Sequence, residues 1–539
     1  MVKHICKLLL PVSSALLVSF LMVVGERPAL GQVLVPQQKI VTPTASQAVA
    51  VSADTLVVGT GSEVRAPVYV FVSGQGGWTR QAVLLSSDWT ESDAFGSSVA
   101  LSGDTIVVGA ASKGAAYVFV HQGTAWTQQA KLLGDGVATN GFGSTVALSG
   151  DTALVGCASD ASRQGSAYAF VRSGTSWIQQ QKLVAGDGSA NDHFGQAVSI
   201  YQETAAVGYM SAAAGNRGAV DVFVRSGATW TEQQRISTSS HLGVRLGRSV
   251  SIWGDTIATS DYTDLNERGD VFVFNRSGAS WAFAATLGAG DPATNRDFGY
   301  SVALSGDALL VGAPSLYGHQ GRAYVFTRSG TAWAQTQEIF ASDGVSQGFG
   351  TTVALFGNTA AVAGPPGGVY VSAPLQTTMT GARETPPNSS MATGSCLVNL
   401  NATTGQVSFS GTFSGLVSSA SSATLRGLAG PGAIGPAMLA STALTSAKSG
   451  MFSGAGTLSP GQISGILAGN AYCEVTDALF SAGEIRGQIP AAPTDVLAVP
   501  ALPPGAVTIL TLLLSTMAVL AICARASRCS NEESRGACS

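Results

Sequence analysis

The sequence predicts an all-β protein: a seven-bladed β-propeller and then a small antiparallel β-sandwich, set between an N-terminal export signal and a C-terminal transmembrane helix. Three observations carry this. A phrase of the form FGSSVALSGDTIVVGA returns along the first two thirds of the chain at near-constant spacing. Only 11% of the 539 residues are charged and 66 are glycine, a mix that disfavours long solvated helices and favours short strands joined by tight turns. The two chain ends carry apolar runs unlike anything between them.

Residues 1–31 read as a signal peptide. Lys3, His4 and Lys7 precede the apolar run from Leu8 to Val24, and Ala29-Leu30-Gly31 offers small residues at a cleavage point, the three-part pattern of a secretory signal. Cys6 would leave with it.

Residues 32–373 hold the repeat. With the acidic residue of the SGDT phrase as marker, the copies fall at Asp54, Asp104, Asp151, Glu203, Asp255, Asp307 and Asn358, at intervals of 50, 47, 52, 52, 52 and 51. Periods of this length mark solenoids or propellers. Each copy reads as four strands. In the second, Ser98 to Leu101 alternates, Gly103-Asp104 makes a tight hairpin turn, and Thr105 to Val108 is apolar after its first residue. Ala116 to Val120 is apolar on both faces, and the stretch from Trp126 to Leu133 is half polar. Strands apolar on both faces must be covered on both sides, and a polar last strand protects an outer edge. Four-stranded sheets stacked face to face with one wet edge make a propeller.

The strand count supports closure. The Trp-led fourth strand starts at Trp78, Trp126, Trp177, Trp230, Trp281 and Trp333, but the seventh copy stops after Val371. Val35 to Ile40 matches the missing pattern, so an N-terminal strand is expected to complete the last blade.

The phrase as a whole resembles the FG-GAP repeats of integrin α-chain propellers and bacterial surface proteins. Kelch repeats share the period, but their paired glycines are absent. The FG-GAP resemblance implies calcium sites in Asp-x-Asp-x-Asp-Gly loops, since calcium needs six to eight oxygen ligands. Only Asp261, Asp264 and Asp270 approach that pattern here, at departing spacing, which leaves them as weak metal candidates. A second acidic position recurs at Asp88, Asp135, Asp187, Asp291 and Asp343; without a second carboxylate at fixed offset it reads as a turn-capping Asp. His121 stands where other copies carry Arg172, Arg225, Arg276 and Arg328, and this interchange, like that at His193, indicates exposed loops. Cys157 reads as a buried thiol. The recurring Trp reads as blade packing, with sugar stacking as the alternative.

Residues 374–490 lose Trp and His entirely. Alternating runs at Cys396 to Leu400 and Gln406 to Phe413 indicate a second antiparallel β domain. GARETPP at 381–387, GLAGPGAIGPA at 427–437 and GEIRGQIP at 483–490 resemble the CHRD domain, which implies a β-sandwich. The resemblance further implies a His-x-His-Gly segment and a third His as a metal site. This chain places Thr424, Arg426 and Thr476 there, and such residues cannot replace imidazole ligands. A metal-free interaction domain is therefore expected. Cys396 and Cys473 are the only cysteines of this region, and a disulfide between them suits an oxidising compartment.

Residues 491–505 form a Pro/Ala-rich linker. Ala506 to Ala524 is apolar and uncharged over 19 residues, close to the roughly 20 that span a bilayer. Arg525 and Arg528 follow, so the 525–539 tail, unless removed, stays cytoplasmic and the rest faces outward. VPALPPG before the helix resembles bacterial C-terminal sorting signals.

The net charge of −4 argues against a nucleic-acid partner. No catalytic or cofactor-binding residues are proposed. The expectation is a non-enzymatic, exported cell-surface or envelope protein, acting in adhesion or extracellular interaction through the propeller loops, with a protein or glycan ligand. The alternatives are a lectin-like carbohydrate-binding propeller and, behind it, an extracellular hydrolase or lyase.

Overall fold

The structure is a computed structural model. It describes residues 36–489 apart from 43–47, 62–65, 75–76, 91, 124, 137–140, 210–217, 238–245, 262–268, 291–296, 315–320, 342–347, 358, 365–367, 373–374 and 401–405. The expected signal peptide, linker, transmembrane helix and tail lie outside the described residues. Among the described residues no helix is long and apolar enough to cross a membrane.

Seven four-stranded antiparallel sheets form a propeller. Blade 2 is typical: Phe95–Ser102, Thr105–Ala110, Ala115–Gln122 and Ala125–Leu132, paired in sequence order. Its second strand is buried at every position and its third at the first six, whereas the fourth is mostly half-buried or exposed. The sequence pattern thus becomes depth: apolar strands are covered by neighbouring blades, and the polar strand meets water. First strands of successive blades contact one another and line the central channel.

Glycine sets the blade spacing. A Cβ on Gly109, at the end of the second strand, would lie 2.0 Å from the carbonyl oxygen of Gly143 in the next blade. Gly143, which follows Phe142, has φ +86°, a conformation that side chains resist. Phe142 itself is fully buried and meets Tyr168 edge-on at 5.2 Å. The recurring Phe-Gly is a wedge plus a close backbone approach.

The seventh blade completes itself from the other end of the chain. Thr352–Phe356, Thr359–Gly364 and Gly368–Ser372 are joined by Pro36–Val41, which pairs with 368–372. The buried Gln38 then clasps blade 1: its Nε2 donates to the Trp78 carbonyl at 2.9 Å, and its Oε1 accepts from the Trp78 N–H at 2.6 Å. Gln181 with Trp230 and Gln234 with Trp281 repeat this exchange between blades 3 and 4 and blades 4 and 5. The closing joint is therefore built like the internal ones.

Residues 375–489 form a single nine-stranded antiparallel sheet that curls on itself, rather than the expected two-sheet sandwich. Its order is 437–440, 420–427, 471–477, 485–488, 375–380, 393–400, 406–414, 450–457 and 443–444. The two edge strands, Ala437–Ala440 and Ala443–Leu444, are separated by only two residues in the chain. Ser441 donates to the Ala423 carbonyl and Thr442 to the Ser453 carbonyl, so the edges must come together. Cys396 and Cys473 sit on strands with two others between them, yet are joined across the interior with Cα atoms 6.3 Å apart. One helix, Pro460–Leu467, starts at Ser459, whose side chain accepts from the Gln462 N–H in a capping box.

Candidate functional site

The expected metal residues do not gather into a site among the described residues. Asp261 and Asp270 are register partners at the ends of adjacent strands, and Asp261 is buried; Asp264 lies outside the described residues. Among those described, no group of three His, Cys, Asp or Glu is placed to hold a metal ion.

The recurring loop Asp has a role other than turn capping. Asp88 leaves blade 1 and binds blade 2: the Tyr117 hydroxyl donates to Oδ1 at 2.7 Å and Lys131 Nζ to Oδ2 at 2.6 Å. Burial alone would raise its pKa, but the bonds from Lys131 and Tyr117 hold it at about 2. Asp135 is held likewise by Tyr168 at 3.1 Å and Lys182 at 2.9 Å, and Asp187 by Arg235. Asp291 and Asp343 lie outside the described residues. In these three cases the second partner missing from the sequence pattern is a cation five residues after the next blade's Trp: Lys131, Lys182 and Arg235.

The Trp ladder is also structural where its indole bonds are defined. Nε1 of Trp126, Trp177, Trp230 and Trp281 donates to a Gln of the preceding blade at 2.8–3.0 Å. The Arg column, read as exposed loop, is instead partly buried. Arg276 binds Asp255 Oδ1 of its own blade and Thr204 Oγ1 of the preceding one; Arg328 does the same with Asp307 and Thr256. His121 takes this place in blade 2, 3.9 Å from Asp104 and tilted against Trp126 at 4.9 Å. His193 lies in a loop with φ +58°, and Cys157 is buried.

These tied hairpins surround the channel mouth, where one column of the repeat changes character. The residue that ends each first strand, or in blade 1 directly follows it, is Ser52, Ser102, Ser149, Tyr201, Trp253, Ser305 and Phe356 around the ring. Three of the serines stitch neighbouring turns together: Ser102 accepts from the Gly150 N–H at 3.0 Å, Ser149 from Gln202 at 2.9 Å and Ser305 from Gly357 at 2.8 Å. Trp253 and Phe356 have no oxygen to accept that bond, and the Tyr201 hydroxyl sits a ring's length beyond where a serine Oγ would lie. They meet each other instead, Tyr201 to Trp253 at 5.2 Å and Trp253 to Phe356 at 6.2 Å, past the small Ser305 of the blade between. Phe356 remains 41% exposed. The trio borders two cavities, one of about 850 Å³ running over blades 5 and 6 and one of about 650 Å³ over the channel.

Sequence reasoning missed these three residues. The signal was present in YQET, WGDT and FGNT, which replace SGDT at aligned positions, but it reads as a repeat's ordinary variation until the turns are seen to converge.

In the second domain, Arg426 Nη1 binds Glu474 Oε2 at 3.1 Å and Arg426 Nε donates to the Gly435 carbonyl. Thr424 pairs in register with Glu474, and Thr476 exchanges hydrogen bonds with Ser421 and Ser422. An ion pair and a hydroxyl cluster occupy the positions that the resemblance associates with imidazoles. The three sequence landmarks converge on Arg486, which is 2% exposed, lies 3.4 Å from the Tyr472 ring centroid and donates to Thr385 and the Gly430 carbonyl.

Comparison with known proteins bears on both parts. The FG-GAP repeat model matches residues 78–119, 126–170, 177–223 and 281–326, and the CHRD domain model matches 375–489. No curated protein matches the chain. Among solved structures, a protein from Lactobacillus plantarum is 14% identical at a TM-score of 0.41, over 57% of this chain and 88% of its own. A putative 6-phosphogluconolactonase from Bacteroides fragilis is 14% identical at a TM-score of 0.38, over 57% and 86%.

Proposed function

We propose that this chain, which carries FG-GAP repeats and a CHRD domain, is an exported, non-catalytic interaction protein of the cell surface or envelope. Its propeller holds an extracellular protein or glycan at the hairpin face, and its C-terminal helix anchors it to the membrane or is lost in sorting. The observation that carries this reading is the break in the serine column at the channel mouth. Three blades give up an inter-blade hydrogen bond, each of about 1 kcal/mol, and place aromatic surface beside open cavities instead. Departures from an otherwise consistent repeat concentrate where function is served. Most of the other recurrent polar groups among the described residues are engaged in ties within or between blades, and the ion pair at Arg426 and Glu474 suits a second domain that acts by contact.

The test is protease accessibility and fractionation of cells making the full chain. The reading expects the propeller to be cleaved or tagged from outside intact cells, and release into the medium when the last 40 or so residues are deleted. A full chain that stays in the cytoplasm, protected until lysis, overturns it.

A further inference from the structure

Resting on that reading, we infer that the channel mouth is a binding site for a neutral saccharide, stacked on Trp253 and Tyr201 and hydrogen-bonded by the Asp–Arg hairpins of blades 5 and 6. The larger cavity, about 850 Å³, is within the roughly 300–1,000 Å³ of small-molecule sites. Its walls combine two kinds of surface. Trp253, Tyr201 and Phe356 supply flat apolar faces, held at mutual angles of 46° and 77° so that they form a bent wall and not a closed stack. Two pre-formed ion pairs, Arg276 with Asp255 and Arg328 with Asp307, line the same cavity.

The state of those pairs decides the ligand's charge. Arg276 Nε and Nη2 both reach Asp255 Oδ1, at 2.7 and 2.6 Å, and Arg328 Nε and Nη2 both reach Asp307 Oδ1, at 2.8 and 2.6 Å. Each guanidinium is neutralised within its own blade. It is also fixed from the preceding blade by a threonine hydroxyl, at 3.1 Å for Thr204 and 2.9 Å for Thr256. An anion would have to displace a bound carboxylate, and a cation a bound guanidinium. A neutral polyol displaces neither, because among the described residues each pair uses Oδ1 alone and leaves Oδ2 to accept a hydroxyl. Asn275 lines the same cavity and adds a side chain that both donates and accepts. A pyranose matches this wall: its axial C–H face is apolar and stacks on an aromatic ring, while its equatorial hydroxyls point outward to planar polar groups.

The position of the aromatics adds a natural control. Serine occupies the same column in four blades, so Tyr201→Ser, Trp253→Ser and Phe356→Ser each install a residue that the fold already accepts there. The full-length chain is tested against an array of neutral and acidic oligosaccharides, and the strongest hit is then titrated by calorimetry. The inference expects binding to neutral oligosaccharides, a loss of at least tenfold in affinity for Trp253→Ser and Tyr201→Ser, and melting temperatures equal to or above the parent's. A silent array overturns it, as does preference for acidic glycans, or binding that survives the triple serine variant. A triple variant that melts well below the parent also overturns it, since the cluster is then a plug for the channel. An exported chain with a silent array leaves the proposed function standing without this ligand, whereas a chain that binds glycans but stays in the cytoplasm does the reverse.

Discussion

At the scale of single residues, the second domain holds its most pH-sensitive group in Glu384. The side chain is 5% exposed, and its Oε1 has no hydrogen-bond partner among the described residues. Burial, then the neighbouring Glu474 carboxylate, push its pKa up to about 7, against the opposing pull of Arg486 and Arg426. The folded domain therefore keeps a proton that the unfolded chain releases near pH 4.5. Stability is fully present below that pH and is lost as pH rises through about 7, falling by about 1.4 kcal/mol for each pH step between the two values. Denaturant unfolding of the full chain is expected to show the second-domain midpoint falling between pH 5 and pH 8. Glu384→Gln is expected to flatten that slope; an unchanged slope would assign the effect to another group.

At the scale of elements, the strand Pro36–Val41 is the closing piece of the ring. Without it the backbone of Gly368–Ser372 becomes an open edge, a template for pairing with other chains, and Trp78 loses both bonds to Gln38. Deleting residues 32–41 is expected to lower the propeller's unfolding midpoint and to produce concentration-dependent oligomers by light scattering. A monomer with the parent's midpoint would mean that the ring holds without this clasp. Gln38→Ala isolates the joint itself and is expected to cost about 1–3 kcal/mol, because it strips the Trp78 backbone groups of their buried partners.

The elements also show what was legible in the sequence. Blade strands were readable because alternation, Gly-Asp turns and Trp starts recur with one period, and the missing seventh outer strand could be found by counting. The curl of the second domain was not, since alternation reports which face is buried and says nothing of strand order. Only the two-residue link between Ala437–Ala440 and Ala443–Leu444, seen in place, forces the edges together. The Ser459 helix carried its capping-box signal, Ser-Pro-Gly-Gln, but over eight residues that signal competes poorly with a surrounding β pattern. Asp88 was visible as a recurrence, yet its partners Tyr117 and Lys131 come from distant strands, and periodicity does not pair a loop with the next blade.

At the scale of the molecule, ties of three kinds recur at several of the propeller's blade junctions. Gln–Trp clasps hold outer strands, Asp–Tyr–Lys ties hold the blade-to-blade loops, and Arg–Asp–Thr ties hold the inner hairpins. Such ties hold neighbouring blades to one another around the channel mouth, which suits a site whose selectivity comes from preformed shape. The break in the serine column is then the place where the ring departs from its own rule, and the account rests on that departure being functional. The most direct measurement is the binding of labelled full-length protein to intact cells of the producing organism and to their surface extracts, with the parent compared with the Tyr201→Ser, Trp253→Ser, Phe356→Ser triple variant. The account predicts saturable binding by the parent and its loss in a triple variant that melts no lower. Equal binding by the two would contradict it and move the interaction away from the channel mouth.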